Sequence, residues 1–453
     1  MISIIPIIVG SIIFFKLNKF YQFTIISLAA MLPFSFGNFM SIPDLLVVEW
    51  LTFVSFLIVI NELIPLNRLE KRFKLIKFRG IEIFIFAAII LVIWTLVSYI
   101  NHEILYQPIK QNSSKIGASR TYFSVFNNIM LFFLIILFVS SNYEKIDFER
   151  FFKFIVSFAL VLGCLTIISY FLRFNIPLIK GTFSYLSEFS RSRISEYGGQ
   201  AFRFGGMAET VTVGIPALFA YYAFKNKINI LALMLLLFFV FMSGGRTLFI
   251  GVFFAITFFS FMFFPRHIIY FVTAITLIII LGAIFLPQSV LEGQFGRLTS
   301  LNAGNFMGQD LWRGLAWKLY LKNFIDNPFW GKGISAYSGF FYSSEESAKE
   351  FASSQLFSGG HGSYFSLMST FGLGGITYFL IYILGGIYLS VRKIKQNIIT
   401  NPTKTSIGIF VFMILIIKSF DFITAGDGLK DAVILFYAVG LVASLTVIEN
   451  RKV

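Results

Sequence analysis

The sequence predicts an all-α, polytopic integral membrane protein of about twelve to thirteen transmembrane helices, with a large external loop that contains helices of its own. Three observations carry that expectation. Hydrophobic residues make up 57% of 453 positions and charged residues only 13%, and the mean hydropathy is +0.81, a balance foreign to soluble domains of this length. Apolar runs near spanning length recur from end to end. Basic residues gather in alternate short loops, as they do where a chain crosses a bilayer repeatedly.

In chain order the apolar runs are 2–15, 23–40, 45–64, 81–100, 122–139, 154–172, 211–224, 228–242, 248–263, 268–286, 364–389, 407–417 and 432–447. The first and several middle ones fall short of the roughly twenty residues a full crossing takes, so twelve crossings fit as well as thirteen. The first run lacks a basic flank and is followed at once by another span, so it reads as uncleaved. Residues 1–453 read as one polytopic membrane domain. Cys164 is a lone cysteine in an apolar run, which leaves no disulfide framework or cysteine metal site.

Charge sets the topology. Lys16 and Lys19, the cluster Arg68, Lys71, Arg72, Lys74, Lys77 and Arg79, residues 145–153, Lys225 and Lys227, Arg266, the group Arg392, Lys393, Lys395 and Lys404, and the tail Arg451 and Lys452 all fall on one side, the cytoplasm. These anchors account for most of the net charge of +15, which therefore implies a membrane surface rather than nucleic acid. The opposite side receives two large loops, 173–210 and 287–361, and loops of that length usually have a task. The second predicts an amphipathic helix over 311–322, with Leu311, Leu315 and Leu319 on one stripe and Asp310 as its cap. Asn327-Pro328 ends that helix.

The residues suited to chemistry sit on that external side. His361 opens the run following the second loop and is a natural proton acceptor near neutral pH; it serves equally well as a hydrogen-bonding interfacial residue. Arg246, in Ser243-Gly244-Gly245-Arg246-Thr247, occupies a tight turn that needs no arginine. A guanidinium there suits two phosphate oxygens at once, or else acts as a snorkelling anchor. Arg313 lies beside Trp312 and Trp317, either as an anion ligand or as a solvated face with a cation–π contact. Arg191, Arg193 and Arg203 add positive charge in the first loop, and together the arginines imply an anionic substrate. Asp421 either orients His361 or pairs with Lys418. Loop tryptophans and tyrosines suit stacking on sugar rings and also suit interfacial belts. No metal-ligand spacing and no phosphate-binding loop appears, so no metal or cofactor is expected.

At these residues the chain resembles the O-antigen ligase and polymerase superfamily, whose signature is written H-[NSQ]-x9-G-x-x-[GTY]. His361 fills the first position, Gly372 the glycine after the gap and Gly375 the last, while Gly362 departs from the expected Asn, Ser or Gln. Arg246 resembles the family's Ser-Arg turn. Arg313, with Asn327-Pro328-Phe329-Trp330-Gly331-Lys332-Gly333, resembles the segment ahead of the histidine. The resemblance implies a metal-independent glycosyl transfer at the periplasmic face of the inner membrane, from a glycan carried on undecaprenyl diphosphate. It implies that Arg246 and Arg313 neutralise the departing diphosphate with help from Arg203, and that His361 takes the acceptor's proton. It also implies lipid-linked glycan as partner, together with a membrane protein that regulates chain length. Gly362 and the basic first loop favour a polymerase of repeat units, such as those of O-antigen or capsule, over a ligase acting on lipid A-core. A flippase is the competing class, and it predicts short loops and repeat symmetry that this chain lacks.

Overall fold

Hydrocarbon offers the backbone no hydrogen-bond partners, so a chain this apolar has to satisfy its N–H and C=O groups internally, as helices. The computed structural model describes residues 11–32, 80–105, 115–172, 191–194, 200–203, 205–243, 246–263, 320–331, 363–424 and 432–451, with isolated positions between them. Within these residues lie α1 (Lys19–Met31), α2 (Glu82–Leu105), α3 (Lys115–Asn142) and α4 (Phe148–Leu172). Two short strands follow, β1 (Arg191–Ile194) and β2 (Gln200–Arg203). Then come α5 (Gly205–Lys225), α6 (Ile230–Ser243), α7 (Arg246–Phe263), α8 (Ser363–Asn397), α9 (Pro402–Thr424) and α10 (Ala432–Arg451).

Among the described residues five helices, within α3, α4, α8, α9 and α10, are long and apolar enough to cross a membrane, and α2, α6 and α7 carry shorter apolar stretches. The body of the protein is therefore the helical, multi-pass assembly that the composition predicts. Most of the spans expected at 2–15, 45–64 and 268–286 lie outside the described residues. Two expectations change in extent. The run expected at 407–417 becomes the full helix α9, because its flanking charges are neutralised in place: Lys418 pairs with Asp421 and Lys404 with Glu449, each at 2.8 Å. The loop expected over 173–210 is shorter, since α5 begins at Gly205, and it contains an antiparallel hairpin that hydropathy alone did not reveal.

Aromatic packing joins the helices. Tyr382 on α8 touches Phe84 of α2, Phe132 of α3 and Phe436 of α10, with ring centroids 5.6, 5.5 and 4.7 Å apart. Its hydroxyl donates to the carbonyl of Phe84 at 3.0 Å, which gives a buried phenol its partner. Small residues allow the closest approaches: a Cβ on Gly251 of α7 would stand 2.9 Å from the Ile417 carbonyl oxygen of α9.

Contacts fix the direction of each helix. Gly251 faces Ile417 while Phe263 meets Phe412, so α7 and α9 are antiparallel. One end of the bundle gathers the starts of α1, α4, α6 and α9, capped by Asn18, Asp147, Asn229 and Asn401, whose side chains accept backbone N–H groups at 2.9–3.1 Å. At this end Lys393, Lys404 and Glu449 tie α8, α9 and α10 together. The side chain of Lys393 is only 3% exposed, so its charge depends on Glu449. Glu449→Gln is expected to cost about 2–3 kcal/mol of stability, most of it regained on adding Lys393→Met, because the loss comes from an orphaned buried charge. Thermal unfolding in detergent measures this; equal melting of wild type and Glu449→Gln would contradict it.

Candidate functional site

The opposite end of the bundle carries the backbone positions of Arg203 and Arg246 and the Lys418–Asp421 pair. Arg246 is the first residue of α7, so it stands at a helix N-terminus, where unpaired N–H groups favour an anion. The antiparallel pairing of α7 with α9 sets this start level with the end of α9 that carries Lys418 and Asp421. Strand β2 lies beside α6 and ends at Arg203, two residues before α5 begins. Arg203 and Arg246 thus share one end of the bundle.

The hairpin register adds a feature that spacing did not reveal. Arg191 is directly opposite Arg203, and Arg193 is opposite Ala201. Residues opposite each other in an antiparallel pair lie on the same face, as do residues two apart. Positions 191, 193 and 203 therefore share one face of the ribbon. Like charges directly opposed across strands disfavour pairing by a few tenths to about 1 kcal/mol, so such a face gains from a bound anion.

Asp421 and Lys418 form a mostly buried pair, 20% and 13% exposed, with a 2.8 Å contact. Of the two readings of Asp421, pairing with Lys418 is thus observed. The ammonium also lies 5.9 Å from the ring centre of Phe422.

The largest departure from expectation concerns α8, read from the sequence as one continuous span from 364. Gly372 has φ 61° and ψ −145°, and the helix breaks there into limbs 363–371 and 373–397. The short limb folds back on the long one: Tyr364 meets Phe379 with ring centroids 5.1 Å apart, and a Cβ on Gly375 would stand 2.9 Å from the carbonyl oxygen of Leu367. In a straight helix Tyr364 and Phe379 would be roughly 22 Å apart along the axis. The hydroxyl of Tyr364 donates to the Ser419 carbonyl at 3.1 Å, which holds the short limb to α9. An unbroken apolar pattern masked the break; the cluster Gly372, Gly374 and Gly375 was its only sequence signal.

A second element reaches the same pivot. Residues 320–326 are helical and end where Asn327-Pro328 predicts, and the arm after them runs onto the break in α8. The backbone N–H of Leu373 donates to the Pro328 carbonyl at 2.7 Å. Asn323 donates to the hydroxyl of Ser369 at 3.2 Å, and Trp94 of α2 donates to the Phe329 carbonyl at 2.9 Å. Trp94, Asn323 and Ser369 carried no sequence signal.

His361 stands two residues before α8 and lies outside the described residues, as do Arg313, Trp312, Trp317 and the 311–319 part of the expected amphipathic helix. For Arg191, Arg193, Arg203 and Arg246 the backbone position is described.

Residues 231–380 match the family model described as O-antigen ligase. The matched stretch is about a third of the chain. It opens in α6 and takes in Arg246, Arg313, His361, Gly372 and Gly375, whereas Arg191, Arg193, Arg203 and Asp421 fall outside it. No curated protein matches the chain. The match agrees with the resemblance drawn from the histidine signature, and members of this family are glycan-transferring enzymes.

The signature glycine has a structural explanation that yields a prediction. An L residue at the backbone angles of Gly372 is strained by about 1–3 kcal/mol, and a Cβ would stand 2.4 Å from the Pro328 carbonyl oxygen. Gly372→Ala is expected to lower the melting temperature and the membrane abundance of the protein. Wild-type melting would contradict the break at this position.

Proposed function

We propose that this chain, whose residues 231–380 carry an O-antigen ligase-type domain, polymerises oligosaccharide repeat units of a surface polysaccharide. The donor is a repeat unit carried on undecaprenyl diphosphate, at the periplasmic face of the inner membrane. The observation that carries the reading is the family match together with the shared end of the bundle where β2 ends at Arg203 and α7 starts at Arg246.

In this reading a hydroxyl oxygen of the acceptor bonds to the anomeric carbon of the donor sugar as that carbon's bond to the diphosphate oxygen breaks. The hydroxyl proton passes to His361, and the lipid diphosphate leaves carrying the bonding electrons. Arg246 and Arg313 meet the charge that grows on the leaving oxygen, the step at which fixed cations contribute most to a transition state. Arg203 assists, and the ribbon face it shares with Arg191 and Arg193 supplies further positive charge for the phosphates or for an acidic glycan. Trp312 and Trp317 offer faces for sugar rings. Asp421, held by Lys418, keeps the polar end of α9 neutral next to the site. The donor lipid lies among the helices and is itself a membrane partner, and a chain-length-regulating membrane protein fits beside a polymerase.

The description of the matched family, ligase, favours a second reading in which lipid A-core is the acceptor. The shared arginine face of the hairpin and the departure at Gly362 favour the polymerase. Surface glycan on a gel separates them after deletion of the gene. A ladder reduced to single repeat units supports the polymerase, free polymer unattached to core supports the ligase, and the absence of exported glycan points to a flippase. In the same strain His361→Ala and Arg246→Lys, expressed at wild-type abundance, are expected to shorten or abolish the ladder; normal chain lengths with His361→Ala would sink its chemical role. Neutralising Arg191, Arg193 and Arg203 together is expected to weaken use of lipid-linked donor at low salt more than at high salt, since screened charges have less to lose.

A further inference from the structure

We infer that the arm at 323–331 and Trp94 form a fixed clamp that sets the seat of the short limb of α8, which makes Trp94 and Asn323 positioning residues for His361. The inference rests on the role proposed above for His361 and draws on contacts that role does not use.

The short limb cannot set its own position. Its nine residues are fewer than an isolated helix needs to be stable, and Gly372 severs it from the long limb, so helical continuity does not orient it. Its seat therefore depends on side ties. Tyr364 supplies one through the Ser419 carbonyl and its ring contacts with Phe379 and Phe422. The arm supplies the others, at the pivot and along the limb. Pro328 gives its carbonyl to the Leu373 N–H, a donor that the break removes from the helical ladder. Asn323 donates to Ser369 in a buried contact.

The arm is in turn fixed to the bundle. Trp94 donates its indole N–H to the Phe329 carbonyl, and its ring lies against Trp330 at 4.9 Å between centroids. An indole N–H is only a donor, so this bond has a single polarity. The approach is close enough to demand glycine on both partners. A Cβ on Gly374 would stand 2.1 Å from the indole nitrogen of Trp94, and one on Gly331 would stand 2.4 Å from the Thr370 carbonyl oxygen. At Gly331 backbone meets backbone, and at Gly374 backbone meets the rigid indole of Trp94, so no flexible side chain lies between the partners and each contact fixes a position rather than merely filling space. Displacing a reacting group by about 1 Å can cost on the order of 100-fold in rate, so a clamp that seats the limb two residues from His361 bears directly on transfer.

The test uses the full-length protein in detergent, with His102 and His267 replaced by Gln so that diethylpyrocarbonate reports on His361 alone. Trp94→Phe keeps the ring and deletes the donor, and Asn323→Leu keeps the shape and deletes the amide. Each is expected to change the modification rate of His361 by about threefold to tenfold, the equivalent of one lost hydrogen bond. Each should also lower the turnover of lipid-linked repeat unit, extracted from a strain lacking this gene, by about tenfold or more, with the donor KM little changed. Gly163→Ala serves as a control, because its Cβ would press on Phe239 where α4 meets α6 and should reduce abundance without moving the modification rate. Modification rates at the parental value in both Trp94→Phe and Asn323→Leu would overturn the clamp. Shifted rates in a parent protein that transfers no glycan would uphold the clamp and overturn only the function proposed above.

Discussion

A helix that breaks inside or beside a membrane leaves backbone donors and acceptors that lipid cannot satisfy, and the break at Gly372 imposes that demand on everything around it. The freed N–H of Leu373 has to find an oxygen, and it finds the carbonyl of Pro328. That contact requires the arm after residue 326 to lie against α8, which in turn requires glycine at 331 and 372, while glycine at 374 makes room for the indole of Trp94. The arm needs its own anchor, and Trp94 provides it from α2. Gly372 also lies about twenty residues before the buried Lys393, or roughly 30 Å of helix, close to the thickness of a hydrocarbon core. The break and the ion cluster therefore mark two opposite boundaries of the bundle. One boundary carries the Asn and Asp caps with Lys393, Lys404 and Glu449; the other carries the glycine-rich break and the backbone positions of Arg203 and Arg246.

That division suits transfer from a lipid-linked diphosphate. A substrate with a long apolar tail and an anionic head needs a hydrophobic body and a fixed positive rim at one depth. The start of α7 at Arg246 and the end of β2 at Arg203 share one end of the bundle, and the hairpin register sets positions 191 and 193 on the same face as position 203; in the proposed function they supply that rim. A carrier cycling between two sides would have little use for a limb held from two directions by Tyr364 and by the 323–331 arm.

The helical, multi-pass class was legible because burial in lipid demands long apolar runs, and those runs are visible residue by residue. The histidine signature was legible because it is local in sequence. The break at Gly372 was hidden, since a folded-back limb of Tyr, Phe, Leu and Met residues has the same hydropathy as a straight one, and only the spacing of three glycines hinted at it. The full length of α9 was hidden for the opposite reason. Its charges look like boundaries until Lys418 is seen to be paired with Asp421 and Lys404 with Glu449. The common face of Arg191, Arg193 and Arg203 depends on strand register, which a short polar loop does not announce. Trp94 meets the arm across more than two hundred residues of sequence, and nothing local marks that meeting.

The proposed chemistry turns on proton transfer to His361, and the pH dependence of single-turnover glycan transfer by purified protein reports on it. An imidazole base predicts a rate that rises with pH through one ionisation before levelling off. The same rise should vanish in His361→Gln while donor binding persists. A rate that rises through the same ionisation in His361→Gln as in the wild type would rule out His361 as the base.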